Sequence, residues 1–240
     1  MLMEWQERTL LQLGKEKHDK LTQAHIFIVG LGGVGGACAE SLVRAGIGEL
    51  SILDADVISP SNINRQLIAS QDNIGKKKID LWKERLLAIN PDLKLHTSDA
   101  FLTFENIDKL FPQSIDYVAD AIDTLNPKTS LIAYTIQQKV PLISSLGSGG
   151  KMDASQIQVA DISKSYGCRF GRMVRKRLHK ENIRSGFKVV FSPEHVPSEI
   201  LHYTENEKNK KTTTGTISYM PILFGNFMAA EIIRVLTRVG

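Results

Sequence analysis

Cysteine is nearly missing from this chain: 240 residues hold two, Cys38 and Cys168, with no CxxC pair anywhere. That excludes a disulfide scaffold and a cysteine-ligated structural zinc, and it points to a reducing, cytoplasmic setting. Long apolar runs are also missing, since none reaches the roughly 18 residues of a membrane span. The best candidate, Tyr219 to Val235, is interrupted by Pro221, Asn226, Glu231 and Arg234, and reads as a buried amphipathic helix. The first residues, MLMEWQERTLLQLGKEK, carry acids and no apolar centre, so no secretory signal is expected. Aromatic residues are only 7% of the chain, the six histidines suggest no catalytic pair, and no internal repeat occurs beyond a strand-helix alternation.

What is present is glycine, concentrated in one place. Residues 25 to 56 read HIFIVGLGGVGGACAESLVRAGIGELSILDAD: an apolar run, then Gly30, Gly32, Gly33, Gly35 and Gly36, a helical pattern, and a second apolar run ending on Asp54. This is strand, tight turn, helix, strand. Glycines let a backbone approach a phosphate, and the N–H groups opening the next helix favour its charge. Asp54, about 20 residues beyond the turn, is placed to bind ribose hydroxyls. Taken alone, these residues fit an NAD or FAD enzyme equally well.

The rest of the chain extends the alternation. Residues 4 to 23, including Arg8, suggest a short helical arm. Val57 to Asn73, VISPSNINRQLIASQDN, is a polar loop, long for a strand-to-helix connection and so a candidate functional loop. A helix follows with Lys76, Lys77 and Lys78 expected in its first turn, where cations oppose the helix dipole unless a phosphate lies nearby. Strands are expected at 93–97, 117–122, 141–145, 155–160 and 187–192, the fourth of them half-exposed and antiparallel. Helices are expected at 104–111, 127–139 and about 170–182. Asp123 follows the 117–122 strand, and in a parallel sheet Asp54 and Asp123 converge on one crevice, where carboxylates beside a triphosphate suggest Mg2+. Between Arg169 and Lys188 stand eight Lys/Arg against the single acid Glu181. With a net charge of +4, this segment suits a polyanion; the plain alternative is a solvated basic helix face. Residues 204–214, containing ENEKNKK, read as a mobile loop.

The order GLGGVG, LDAD, SNINRQ, IGKKK, AIDT resembles the ThiF/MoeB superfamily, bacterial relatives of ubiquitin-activating enzymes that adenylate carboxylates with ATP. Over nearly the whole chain, SSLGSGGKMDASQIQVADISKS, RMVRKRLHKENIRSG and KVVFSPE are most similar to the branch that dehydrates threonylcarbamoyladenosine in tRNA. The resemblance implies an α/β fold: a Rossmann-like, mostly parallel sheet flanked by helices, with an antiparallel extension and a C-terminal elaboration. One adenylating domain would span 1–240, its ATP-binding core at 1–160 and its extension, with the basic tRNA-binding segment, at 161–240. Gly30, Gly32 and Gly33 would contact ATP, Asp54 the ribose, and Asn62, Arg65 and Lys78 the phosphates, while Asp123 would hold Mg2+. Arg8 would enter the partner's site in a homodimer. The resemblance leaves open a monovalent cation, a sulfur-transfer protein partner and a thiol role for Cys168; Cys38 is expected in the core. The alternative activity is adenylation of a ubiquitin-like sulfur carrier of the MoeB/ThiF type, although those enzymes usually carry the zinc-binding CxxC pairs missing here.

Overall fold

The computed structural model describes residues 4–197, 201–203 and 212–238. In chain order the elements are α1 (Glu7–Leu13), α2 (Lys15–Gln23), β1 (His25–Val29), α3 (Gly33–Arg44), β2 (Glu49–Leu53), α4 (Lys78–Ile89), β3 (Lys94–Ser98), α5 (Ile107–Leu110), β4 (Tyr117–Asp120), α6 (Leu125–Gln137), β5 (Leu142–Ser145), β6 (Gln158–Asp161), α7 (Arg169–His179), β7 (Lys188–Phe191), β8 (Leu201–Tyr203), β9 (Thr212–Thr214) and α8 (Tyr219–Leu236). Seven strands form one sheet in the order β3-β2-β1-β4-β5-β7-β6. Every neighbouring pair is parallel except β6 with β7. This is the mostly parallel sheet with an antiparallel edge that the strand pattern implies.

The central strands are short aliphatic runs because both faces are covered. Ile26, Ile28, Leu50 and Ile52 face a core shared with α3, α4 and α8, which includes Trp82, Leu86, Phe224 and Met228. Phe27, Val29, Leu53 and Val118 face a second core with Leu131, Ile132, Val174, Leu178 and Phe191. Helix α8 is long and apolar enough to cross a membrane by length and composition. In this fold its Met220, Phe224, Met228, Ala229 and Ile232 are buried. It lies so close to α3 that a Cβ on Gly225 would meet the Val34 carbonyl oxygen at 2.2 Å.

Local polar chemistry moves several boundaries from those the sequence suggests. The arm at 4–23 is two helices broken at Gly14, whose φ of 77° no ordinary helix position allows. The expected helix at 104–111 shrinks to four residues, because the Asn106 side chain accepts from Thr103 N and donates to Phe101 O, winding the chain into a turn. Asp153 likewise accepts from Ser155 N and caps a 3-10 turn over Ala154–Gln156, so the antiparallel strand starts only at Gln158. Lys76 and Lys77 are outside α4, not in its first turn: Val57 bridges to Lys77, and Lys78 N donates to Asp56 O at 3.0 Å, holding both lysines in the extended chain. The strand expected at 117–122 stops at Asp120, the helix at 127–139 starts earlier at Leu125, and the basic helix ends at His179. Of the expected mobile loop, 204–211 lies outside the described residues, while Thr212–Thr214 pairs antiparallel with Leu201–Tyr203.

One approach fixes how α3 leaves β1. A Cβ on Gly35 would lie 1.7 Å from the Gly30 carbonyl oxygen, and on Gly36 2.1 Å from the Trp82 ring. Gly35→Ala is expected to cost at least about 3 kcal/mol in urea unfolding, since a backbone atom cannot step aside. Gly147→Ala, whose Cβ would meet Phe170 Cβ at an ordinary 3.4 Å, should cost under about 1 kcal/mol.

Candidate active site

Ligands of open parallel sheets bind beyond the carboxyl ends of the strands, where the chain reverses its direction of winding. Here that point lies between β1 and β4. Gly30 leaves β1 with φ 88°, and a Cβ on it would lie 2.9 Å from Ala121 O. Gly32 caps α3 with no side-chain hydrogen bond, so no side chain of the cap competes for the N–H groups of the first turn. Asp54, buried, holds the turn from below: its carboxylate accepts from Leu31 N at 2.6 Å and Asp56 N at 2.8 Å. Trp82 Nε1 fastens the other side by donating to Leu31 O at 3.1 Å. Burial raises the Asp54 pKa, against the opposing pull of Lys78 and the two backbone donors.

The long loop folds over this turn. The Arg65 carbonyl and Pro221 Cβ would each sit 2.9 Å from a Cβ on Gly33, so the SNINRQ loop and the start of α8 rest on the glycine backbone. Arg65 is half-buried, and its Nη1 donates to Ser61 O at 2.6 Å and Asn64 Oδ1 at 2.9 Å. Asn62 is buried and accepts from Ser59 N. Asn64 Nδ2 donates to Thr216 O at 2.8 Å, Gly150 N to Gly215 O at 2.8 Å, and the Tyr219 hydroxyl to Met152 O at 2.7 Å. Residues 150–152 and 215–219 thus form a wall joined to the loop. Of the three lysines, Lys76 reaches Asn73 and Lys77 reaches Asp99. Lys78 alone is buried, donating to Asp56 at 2.7 Å and lying 3.9 Å from Asp54.

Gln66 is a candidate site residue that sequence reasoning passed over, although it ends the SNINRQ motif. It is 7% exposed, and its Oε1 has no hydrogen-bond partner among the described residues. Its Nε2 lies 3.6 Å from the position of a Cβ on Gly32. A buried amide oxygen left unsatisfied beside a nucleotide-type turn is suited to a ligand donor.

Asp123 is exposed just past β4. Beneath it lies a second group missed from sequence: Asp120, Lys128 and Ser144, each with no exposed surface. Lys128 Nζ donates to Asp120 at 2.7 Å and to Ser144 Oγ at 3.0 Å, while Ser144 Oγ donates to Asp120 at 2.7 Å. Burial pulls the Lys128 pKa down, against Asp120 and more weakly Asp123. The available signal was a lysine on the same face as Leu131, Ile132 and Thr135 of an apolar helix. Cys168 is buried and caps α7, its Sγ accepting from Gly171 N at 3.3 Å. Cys38 is fully buried in the core, where desolvation raises its thiol pKa. Arg8 is exposed on α1, a helix with no buried residue of its own. On α7, Arg169, Arg172, Lys176 and Arg177 are exposed, while Val174 and Leu178 anchor the inner face.

Removing one member of a fully buried pair strands the other charge, at a cost of about 3–5 kcal/mol. Lys128→Met is expected to lose that much in urea unfolding. Adding Asp120→Asn should recover at least half, and a double variant no more stable than the single would show that the charge pairing is not the cause.

Chemically, the arrangement is a phosphate-ready helix start, an arginine and a buried lysine near it, and carboxylates at two strand exits. Known proteins resemble this chain in sequence and fold. The model of the ThiF family matches residues 6–240. The tRNA threonylcarbamoyladenosine dehydratase of Bacillus subtilis is 33% identical over 238 residues, covering 96% of this chain and 94% of that protein. The crystal structure of Escherichia coli tRNA N6-threonylcarbamoyladenosine dehydratase, TcdA, in complex with ATP superposes with a TM-score of 0.88 at 31% identity, covering 97% of this chain and 93% of that one. The molybdopterin-synthase adenylyltransferase of Haemophilus influenzae is 36% identical over only 126 residues, 52% of this chain and 51% of that protein. With glycine turn, loop and wall in place and the match extending over nearly all its length, this chain belongs to the ThiF family.

Proposed function

We propose that this protein is an ATP-dependent tRNA threonylcarbamoyladenosine dehydratase. The observation that carries the reading is the seating of the Arg65 backbone on Gly33 at the start of α3, with Asp54 and Asp123 at the neighbouring strand exits and Lys78 opening α4 beside Asp54. It is supported by near-full-length relatives of that activity. The alternative, adenylation of a ubiquitin-like sulfur carrier, draws on relatives that align with only about half of the chain.

A carboxylate is a poor electrophile, so the threonyl carboxylate of the modified nucleoside first attacks the α-phosphate of ATP. The products are an acyl-adenylate and pyrophosphate. An atom of the same modification then attacks the acyl carbon and expels AMP, which carries away the carboxylate oxygen, so the ring closes with net loss of water. The second nucleophile is already tethered close by, so the protein need not supply one. Gly30, Gly32 and Gly33 admit the phosphates to the α3 N-terminus, and Asp54 faces the ribose. Asn62 shapes the loop, and Arg65 offsets charge as pyrophosphate leaves. Lys78 exchanges its exposed partner Asp56 for a phosphate oxygen. Asp123 is an exposed oxygen donor, which fits Mg2+, a cation that keeps several waters and takes few protein ligands. When bound there, Mg2+ would supply Lewis-acid stabilisation of the triphosphate.

The exposed arginines and lysines of α7 are read as the tRNA surface, acting mainly on phosphates in a cytoplasmic setting. Arg8 is read as a residue donated to the partner's site in a homodimer.

Two experiments test this. In mass spectrometry of nucleosides from tRNA carrying the modification, Mg-ATP and the protein should remove one water. Arg65→Ala should slow that about 100-fold or more, and mixing it with Arg8→Ala should restore activity if the arginine acts across a dimer. An unchanged nucleoside, with ATP-pyrophosphate exchange only on adding a sulfur carrier, would select the alternative. Separately, tRNA affinity should fall steeply with salt, and Arg172→Ala with Lys176→Ala should reduce the log-log slope by about 1 to 2; a flat dependence would remove α7 from the interface.

A further inference from the structure

The adenylation crevice occupies the carboxyl ends of the strands. Towards their amino ends, on the face away from α3 and α8, the same sheet gathers a second set of side chains. Parallel register sets His25 beside Glu49 and Ser51 beside His96. The two-residue period of a strand puts Glu49 and Ser51 on one face. His25 Nδ1 stands 3.6 Å from Glu49 Oε1, and His96 Nε2 stands 2.9 Å from the same oxygen. One nitrogen of each ring and one carboxylate oxygen therefore lie within 4.8 Å of one another.

We propose that His25, Glu49 and His96 form a binding site for a borderline transition-metal dication, with Zn2+ the best match. Two imidazoles and one carboxylate are a donor set that suits this ion and leaves a fourth position open. The surroundings support a ligand role. His25 is 7% exposed, and its Nε2 hydrogen-bonds Ser51 Oγ at 2.8 Å, which orients Nδ1 towards Glu49. A metal-bound histidine characteristically engages its other nitrogen in this way. A cavity of about 360 Å3 opens beside the three side chains, lined also by Phe27, Lys109 and Phe111. The open coordination position would face this cavity.

An ordinary cross-strand ion pair accounts for less. Glu49 has Lys94 Nζ at 3.9 Å, but that side chain is 76% exposed and can swing into solvent. Bound metal would tie β3, the sheet's edge, to β1 across β2, at a distance from the adenylation crevice.

The test is titration of the metal-stripped full-length protein with Co2+, without nucleotide, read by d–d absorption and followed by displacement with Zn2+. A saturable one-to-one spectrum is expected, displaced by Zn2+ and lost in His96→Ala. Ser51→Ala should weaken binding about tenfold, and Asp123→Asn should leave it intact. Since the His96 side chain is 60% exposed on an edge strand, its removal should spare the fold, which circular dichroism would check. No saturable spectrum, a spectrum unchanged in His96→Ala, or one lost in Asp123→Asn would each overturn the proposal.

Discussion

The structure depends on a contact that contains no side chain. The start of α3 presses against the exit of β1 with hydrogen atoms where any other residue would place carbon, and the Gly30 carbonyl occupies the space a Gly35 Cβ would need. Everything around the crevice takes its position from that closeness. Trp82 can reach Leu31 O because Gly36 yields to its ring, the loop bearing Arg65 settles on Gly33, and α8 crosses α3 at Gly225. Glycine in a helix interior costs conformational entropy, about 0.5–1 kcal/mol relative to alanine. Three glycines among the first four residues of α3 are tolerated because packing offsets that cost.

The motif's five glycines are therefore not equivalent. Gly30 and Gly32 shape the turn and Gly33 admits the loop, whereas Gly35 and Gly36 serve the packing of helix on strand and tryptophan. The motif and its resemblance name Gly30, Gly32 and Gly33 as nucleotide contacts and assign Gly35 and Gly36 no separate role. The buried pair beneath the crevice shows a related division of labour. Asp120 and Lys128 satisfy each other and Ser144 in the core, while Asp123, three residues later, stays open to solvent. One turn of chain thus carries a structural carboxylate and a candidate functional one.

Much of the fold was legible in sequence because its signals are local. Aliphatic runs such as HIFIV and YVAD mark buried parallel strands, and the alternation with helices sets the sheet's type. Errors fell where a side chain bonds its own backbone, at Asn106 and Asp153, since such turns compete with a helix or strand without altering hydrophobic period. Candidate site residues could be named from sequence wherever a residue belonged to a motif with a mechanism, as with Asp54, Asn62, Arg65, Lys78 and Asp123, whose roles are proposals. Gln66 and Lys128 escaped for a different reason: their meaning lies in burial, and an amide or ammonium group reads as surface until packing shows otherwise. The His25, Glu49 and His96 cluster joins three strands, and only the register between them brings it together.

The position of β7 has a consequence for how the molecule is made. It lies between β5 and β6, though both precede it in the chain, and among the described residues β6 has no other partner in the sheet. Emerging from a ribosome, the segments of β1 to β5 can pair as they appear, but β6 must wait through the whole of α7 for the strand that joins it. Until then the outer edge of β5 is an unpaired row of backbone groups, open to wrong partners. The basic residues of α7 emerge during that interval, so a nascent chain exposes this concentrated positive charge before its sheet is complete.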